Sequence, residues 1–418
     1  MSVNVQTRGR WGMPLVAALL LVAACDGSGS GSDDGAPAAG RVTTTDVALP
    51  PGDEPVVVTP WGEDLLVGSR APEGSASRPR LTVLDPAGGS HEVAVTPVSP
   101  TAFQAKWLVA APRGTTLDLV GGAPAGAHSN TRWSTWRGDT ASVRELPQPF
   151  ATFGGWGAGA LVSLVQTSSS PVVIGSWESG GAGLDIALWH PHGERWVRAS
   201  SAGTPLASSA SALVSARGAT ADRGGLLVVG SVTLLGNGSV GQRPAVWRAP
   251  GPDGPWTRTD LPGDGSLGEA HAASCDEAGR CTVVGEVDGT LRGWTLAADD
   301  TVTALPLPTL AVGEHDLLTA PLLRGGESTV LLASGGALRV LTVSGGGSDV
   351  SGANGGSNGD GNGDAGGGSD GGGEVDGIRE RTGPPARAVW SAARTATGDY
   401  VVLEDPAGAA RLVRLNAP

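Results

Sequence analysis

The chain has 418 residues and a formal net charge of −13 at neutral pH. That acidity argues against nucleic acid as a partner, which calls for a basic stripe, and against adhesion to anionic lipid by charge. With 39% hydrophobic and 17% charged residues, 68 glycines and 30 prolines, the chain can bury a large core and must turn often.

Residues 1–24 read as a targeting segment. Arg8 and Arg10 supply positive charge ahead of an apolar run over 11–24, too short to span a bilayer comfortably. The run ends in Val22-Ala23-Ala24-Cys25. This resembles the bacterial lipobox, in which small residues precede a cysteine that becomes the acylated mature N-terminus. The resemblance implies lipid (palmitate among the acyl chains) on Cys25 and a cell-membrane anchor on the extracytoplasmic side; an ordinary secretory signal is the alternative. A glycine separates the two arginines, so a twin-arginine export signal is not supported. Residues 25–40 are almost wholly Gly, Ser, Asp, Ala and Pro and read as a disordered tether.

The body, 41–418, alternates short Val/Leu-rich runs with Gly, Pro, Asp and Ser turns, which predicts an all-β domain. One pattern occurs twice. Pro171-Val-Val-Ile-Gly-Ser-Trp177, a glycine-rich turn, Ile186-Ala-Leu-Trp189, a tight turn and Trp196-Val-Arg are followed by Leu226-Leu-Val-Val-Gly-Ser, a turn, Pro244-Ala-Val-Trp247, a tight turn and Trp256-Thr-Arg. Such a unit is one four-stranded sheet, and its recurrence points to the blades of a β-propeller.

Each unit closes on a strand running into a proline-rich corner, as in Val95-Thr-Pro97, Leu146-Pro147, Leu261-Pro262 and Leu305-Pro306. Proline tolerates strand ends and edges because it lacks a backbone donor. Counting corners gives blades near 55–97, 101–147, 150–205, 207–262, 267–306, 314–385 and 387–416. That is a seven-bladed propeller, with six or eight as alternatives. The last unit has three strands, so the fourth is expected from 41–49, closing the ring by pairing of the N- and C-terminal strands. Residues 344–377, dense in Gly, Ser, Asn and Asp, read as a disordered insertion between the third and fourth strands of the sixth unit.

The turns between paired tryptophans carry a further likeness. Ala249-Pro-Gly-Pro-Asp253-Gly254-Pro-Trp256 resembles the Asp-box of sialidase-like propellers, and Pro191-His-Gly193-Glu-Arg-Trp196 does so more faintly. The resemblance implies a propeller. Sialidase chemistry needs a tyrosine nucleophile, and the one tyrosine, Tyr400, falls inside a predicted strand. Arginine stands almost everywhere for lysine, Lys106 alone excepted, as in proteins from genomes of high GC content.

Cys275 and Cys281 flank a predicted hairpin turn, and outside the cytoplasm they are expected to form a disulfide worth roughly 2.4 kcal/mol by the chain-entropy estimate. A metal site on His271, Cys275 and Cys281 lacks a fourth ligand at sensible spacing. Asp360-Gly-Asn-Gly-Asp364 begins like a calcium loop, but Ala365 stands where the loop needs glycine and Gly371 where it needs glutamate. No nucleophile elbow, zinc-protease motif or phosphate-binding loop is present, so no catalytic residue, metal or cofactor is assigned.

Trp177, Trp189, Trp196, Trp247, Trp256 and Trp294 recur at equivalent places and are expected to pack between blades. A sugar-stacking platform is the other reading and needs several rings exposed on one face.

Propeller geometry places ligand sites on the face made by corner loops and second-to-third-strand loops. The candidate binding face is Phe150, Phe153, Trp156, His271, His315, Asp316 and Arg292, with Phe103, Glu269, Arg70, His128 and Glu178 near it. The three aromatics over 150–156 frame a pocket mouth or plug the central channel. The expected function is a non-catalytic binding or interaction module for an extracellular protein or glycan. The alternatives are a glycoside hydrolase or lyase acting on extracellular or cell-wall glycans, and a structural part of an envelope assembly.

Overall fold

Short valine- and leucine-rich runs, each stopped by Gly, Pro or Asp, fold here as antiparallel meanders. A computed structural model describes residues 40–74, 76–126, 129–236, 238–313, 318–344 and 377–416. Cys25, His128, His315, Asp316, most of the tether and the interior of the expected insertion lie outside the described residues.

After β1 (Thr44–Asp46) come β2 (Glu54–Trp61), β3 (Asp64–Glu73), β4 (Ala76–Leu84) and β5 (Ser90–Thr96), then β6 (Lys106–Arg113), β7 (Thr116–Ala125), β8 (Asn130–Gly138) and β9 (Ser142–Leu146). One helical turn, α1 (Phe150–Phe153), leads into β10 (Ala158–Gln166), β11 (Pro171–Glu178), β12 (Leu184–His192) and β13 (Arg195–Arg198). Next are β14 (Ala212–Asp222), β15 (Gly225–Gly236), β16 (Ser239–Ala249) and β17 (Thr257–Asp260), and β18 (Gly268–Cys275), β19 (Cys281–Val287), β20 (Thr290–Leu296) and β21 (Val302–Leu305). The chain finishes with β22 (Leu322–Arg324), β23 (Glu327–Ser334), β24 (Ala337–Ser344) and β25 (Ile378–Pro385), then β26 (Ala388–Thr395), β27 (Gly398–Glu404) and β28 (Ala410–Leu415). The first strands of the meanders lie side by side in cyclic order, β2, β6, β10, β14, β18, β22, β26 and back to β2. This is an all-β propeller.

The expectation of seven separate blades is corrected. Five sheets are discrete and four-stranded, while β2 to β9 form one eight-stranded sheet in the order β2-β3-β4-β5-β9-β8-β7-β6. The weld is a parallel pairing of two outer strands, Ala94 with Ser142, Val95 with Val143 and Thr96 with Arg144. Both strands run the same way at their sheets' edges, so each edge satisfies backbone groups the other would leave to water. The propeller therefore has five separate blades and one double sheet. The terminal sheet has the order β1-β28-β27-β26, with Thr44 opposite Leu415 and Asp46 opposite Val413. Val42, ahead of β1, is buried with Val389, Val401 and Val413.

The core sits between neighbouring sheets. Val172, Ile186 and Leu188 of one sheet share a cluster with Val228, Trp247 and Trp256 of the next. Trp189, Trp247 and Trp294 hold corresponding places on third strands and are fully buried. Their indole N–H groups donate to the carbonyls of Thr152 (2.9 Å), Pro205 (2.9 Å) and Pro262 (2.8 Å). Each carbonyl lies in the connection that brings the chain into that tryptophan's own sheet, so the ring pins its own corner. Trp196 and Trp256 are buried as well, and Trp177 is half-buried.

First strands carry a β-bulge at a recurrent place, at Val56, Leu108, Val162, Arg217, His271 and Trp390. Glycine usually stands opposite. A Cβ at Gly230 would sit 1.9 Å from the Ser215 carbonyl oxygen, and one at Gly285 would sit 2.1 Å from that of Glu269. The glycine lets the bulged backbone approach closely.

Candidate functional site

The upper face of the ring is where first strands begin and where second strands turn into third strands. The lower face carries the other turns, and β1 starts there, as does the gap from Ser344 to Gly377, whose ends are joined by a 2.8 Å backbone hydrogen bond.

Nine large apolar side chains are exposed among the described residues. Eight of them, Val98, Phe103, Phe150, Trp156, Leu184, Leu235, Val240 and Leu267, sit in connections or strand ends of the upper face. Only Val197, in an outer strand, lies elsewhere. All three exposed aromatics are in corner connections of that face.

The stretch Phe150–Trp156 divides. α1 turns Phe153 inward, where it is buried 5.5 Å from the Trp189 ring centroid. Phe150 stays 57% exposed with the Arg132 guanidinium 4.4 Å over its ring, and Trp156 is fully exposed. α1 lies against β13, the outermost strand of its sheet, so Phe150 and Phe153 stand toward the rim rather than plugging the channel, while Trp156 lies in the connection that enters β10. Beside them opens a groove of about 310 Å³ lined by Arg132, Trp133, Glu145, Pro149, Phe150 and Phe153. Its carboxylate, Glu145, is already occupied, accepting hydrogen bonds from the Val98 and Ser99 backbone N–H groups and the Ser99 hydroxyl at 2.6–2.7 Å. Further along the face, Arg198 lies 4.7 Å over Trp177, and burial lowers its pKa. Glu178 lines the neighbouring cleft with Arg198 and Asp185.

A second constellation sits on the first strands. Arg217 and His271 are the bulge residues of adjacent strands β14 and β18. Arg217 donates to Glu269 Oε2 at 2.5 Å, and Ser231 Oγ donates to Glu269 Oε1 at 2.8 Å. His271 Nε2 stands 3.7 Å from Glu286 Oε1 and 4.0 Å from Glu269 Oε2. Burial pushes the His271 pKa below its ordinary value, outweighing the Glu269 carboxylate, and Arg217 adds to the depression. A neutral imidazole between two carboxylates, one of them tied to a guanidinium, can accept and pass a proton. Arg292 does not join this group: it is exposed on β20 and donates to the Leu291 carbonyl at 3.3 Å.

A third constellation escaped sequence reasoning. Lys106, the first residue of β6, places its ammonium 4.1 Å over the ring of Trp390, the bulge residue of β26. Trp390 Nε1 donates to Glu404 Oε2 at 2.9 Å. Lys106 is the chain's one lysine, and that compositional oddity was the available signal.

Cys275 and Cys281 form a disulfide, opposite one another at the mouth of the β18–β19 hairpin with Cα atoms 3.9 Å apart. It lies on the lower face, away from the three constellations. Asp222 approaches both sulfurs closely enough to complete a metal-ligand set, but the two sulfurs are bonded to each other and Arg248 holds Asp222 at 2.6 Å, so this group does not suit a cation. No helix among the described residues is long and apolar enough to cross a membrane.

No family model matches the chain, and no curated protein matches it. Solved structures do. The β-propeller domain of the Trilobed protease from Pyrococcus furiosus aligns at 8% identity and TM-score 0.48, covering 89% of this chain and 95% of that one. Virginiamycin B lyase from Staphylococcus aureus aligns at 8% identity and TM-score 0.48, covering 90% and 99%. Acylaminoacyl peptidase from Pyrococcus horikoshii aligns at 9% identity and TM-score 0.46, where this chain spans about half (52%) of the other. These are likenesses of architecture; the ring itself is read from this chain's own strand pairing.

Proposed function

We propose that this protein is an exported, lipid-anchored β-propeller that acts outside the cytoplasmic membrane as a non-catalytic binding module for an extracellular glycan. The observation that carries the reading is that, among the described residues, eight of the nine exposed large apolar side chains collect on the upper face, including Phe103, Phe150 and Trp156. Water-exposed aromatic rings are costly to leave bare and useful for stacking on the apolar faces of sugar rings. Arg132 and Arg198 supply polar handles beside them.

The test is binding of soluble glycans by the lipid-free protein and by a Phe150→Ala/Trp156→Ala variant. Binding lost in the variant at unchanged melting temperature supports the reading; equal binding by both removes it. A hydrolase or lyase is the second reading, favoured by the neutral His271 between Glu269 and Glu286 beside Arg217. It requires product release from a glycan that Glu269→Gln abolishes.

A further inference from the structure

Lys106 is independent of the binding reading above and points to chemistry of its own. It is one lysine among 28 basic residues. The carboxylates facing it already have partners: Glu54 is held by Arg70 at 3.2 Å and Glu404 by Arg387 at 3.0 Å. Arg70 also donates to Ser77 Oγ at 2.7 Å. Among the described residues the Lys106 ammonium has the Trp390 ring face and neither a hydrogen bond nor an ion pair. The side chain reaches from β6 to β26, the first strands on either side of β2, so it lies among the strands that line the ring's centre. The residue stays accessible, yet burial of its amine is the largest influence on its pKa and lowers it; Glu54 opposes this, Arg70 assists, and Glu404 opposes more weakly.

Holding an anion at this place would be done as well by arginine, which offers a fixed charge and a rigid fork and is the chain's basic residue everywhere else. What lysine alone adds is an amine that can shed its proton and attack. We propose that Lys106 is the nucleophilic amine of a covalent site at the mouth of the ring, taking small aldehydes such as the open-chain form of a reducing sugar. The neutral Nζ lone pair attacks the aldehyde carbon, and the carbonyl π electrons move to oxygen, which takes a proton. Nζ gives up one of its two protons to leave the neutral carbinolamine; its hydroxyl then takes a second proton from solvent and departs as water as the nitrogen lone pair forms the C=N bond, and the iminium returns its last N–H proton to solvent. Amine plus aldehyde gives imine plus water, with no oxidant or reductant. The flat imine would lie against the Trp390 indole, which shields one side of it from hydrolysis.

The test places a reference lysine in the same molecule. Full-length Arg195→Lys protein, whose new lysine sits at an exposed position, is treated with glycolaldehyde and cyanoborohydride from pH 6 to 10, and peptide mapping follows adduct at residues 106 and 195. Lys106 is expected to react at least about fivefold faster at pH 7.5, with its midpoint at lower pH than the lysine at 195. Equal or slower reaction at 106, or coincident pH midpoints, would overturn the proposal.

Discussion

Trp247→Ala and Trp156→Ala separate the two uses this chain makes of tryptophan. Trp247 is fully buried, packs with Val228 and Leu206, and donates to the Pro205 carbonyl at 2.9 Å. Truncating a buried tryptophan to alanine costs about 3–5 kcal/mol in lost transfer energy and cavity. The stranded Pro205 carbonyl adds about 1–3 kcal/mol unless water reaches it. Against a total stability of about 5–15 kcal/mol, the ring should lose roughly half its margin and melt about 5–10 °C lower, or fail to fold. Trp247→Phe keeps most of the volume but loses the donor, and should fall between wild type and alanine. Trp156 is fully exposed, so its alanine variant should stay within about 0.5 kcal/mol of wild type. Calorimetry or thermal unfolding by circular dichroism reads all three. A Trp247→Ala protein melting within about 1 °C of wild type would refute the idea that third-strand tryptophans pin the corners.

Gly230→Ala should destabilise by about 2 kcal/mol or more, measured by chemical denaturation, because its Cβ would meet the Ser215 carbonyl at 1.9 Å. A neutral effect would mean the bulge relaxes freely. Joining Ser344 to Gly377 by a two-residue glycine turn should leave the melting temperature nearly unchanged, since those ends already share a hydrogen bond; a large fall would show that the removed segment packs. His271 has a folded pKa below its ordinary 6.5, so the unfolded chain binds that proton more readily. Its contribution to stability is full above about pH 6.5 and shrinks as pH falls toward the folded value. His271→Gln should therefore flatten the pH dependence of melting between about 6.5 and 5 relative to wild type, and an unaltered slope would contradict the burial argument. Cys25→Ala should release the protein from membranes into the soluble fraction, and retention would count against the lipobox reading.

The propeller was legible because strand length, turn residues and the recurrent aliphatic-Gly-Ser run, Val173-Ile-Gly-Ser176 and Val228-Val-Gly-Ser231, are local features. The count of separate blades was not. Fusion of two meanders depends on β5 and β9 meeting edge to edge in parallel, and nothing in Val93–Thr96 or Ser142–Leu146 announces a partner some 48 residues away. The 150–156 stretch stands out in the sequence as aromatic, but Phe150 and Phe153 look alike there. One turn of α1 buries one and exposes the other. His271 was a candidate, and Glu269 two residues earlier was visible beside it. Arg217 joins them only because bulges on adjacent first strands fall at the same height. One sign was present all along: the residue after the recurrent glycine is serine at 69, 176 and 231 but glutamate at 286.

The central claim is that the upper face holds a ligand through its exposed rings. It is tested most directly by a glycan array probed with the lipid-free protein and, in parallel, with Phe150→Ala/Trp156→Ala. The account predicts a defined set of bound glycans whose signal disappears in the variant while both proteins melt together. Bound glycans retained in full by the variant, or no glycan bound by the folded wild type, would contradict it.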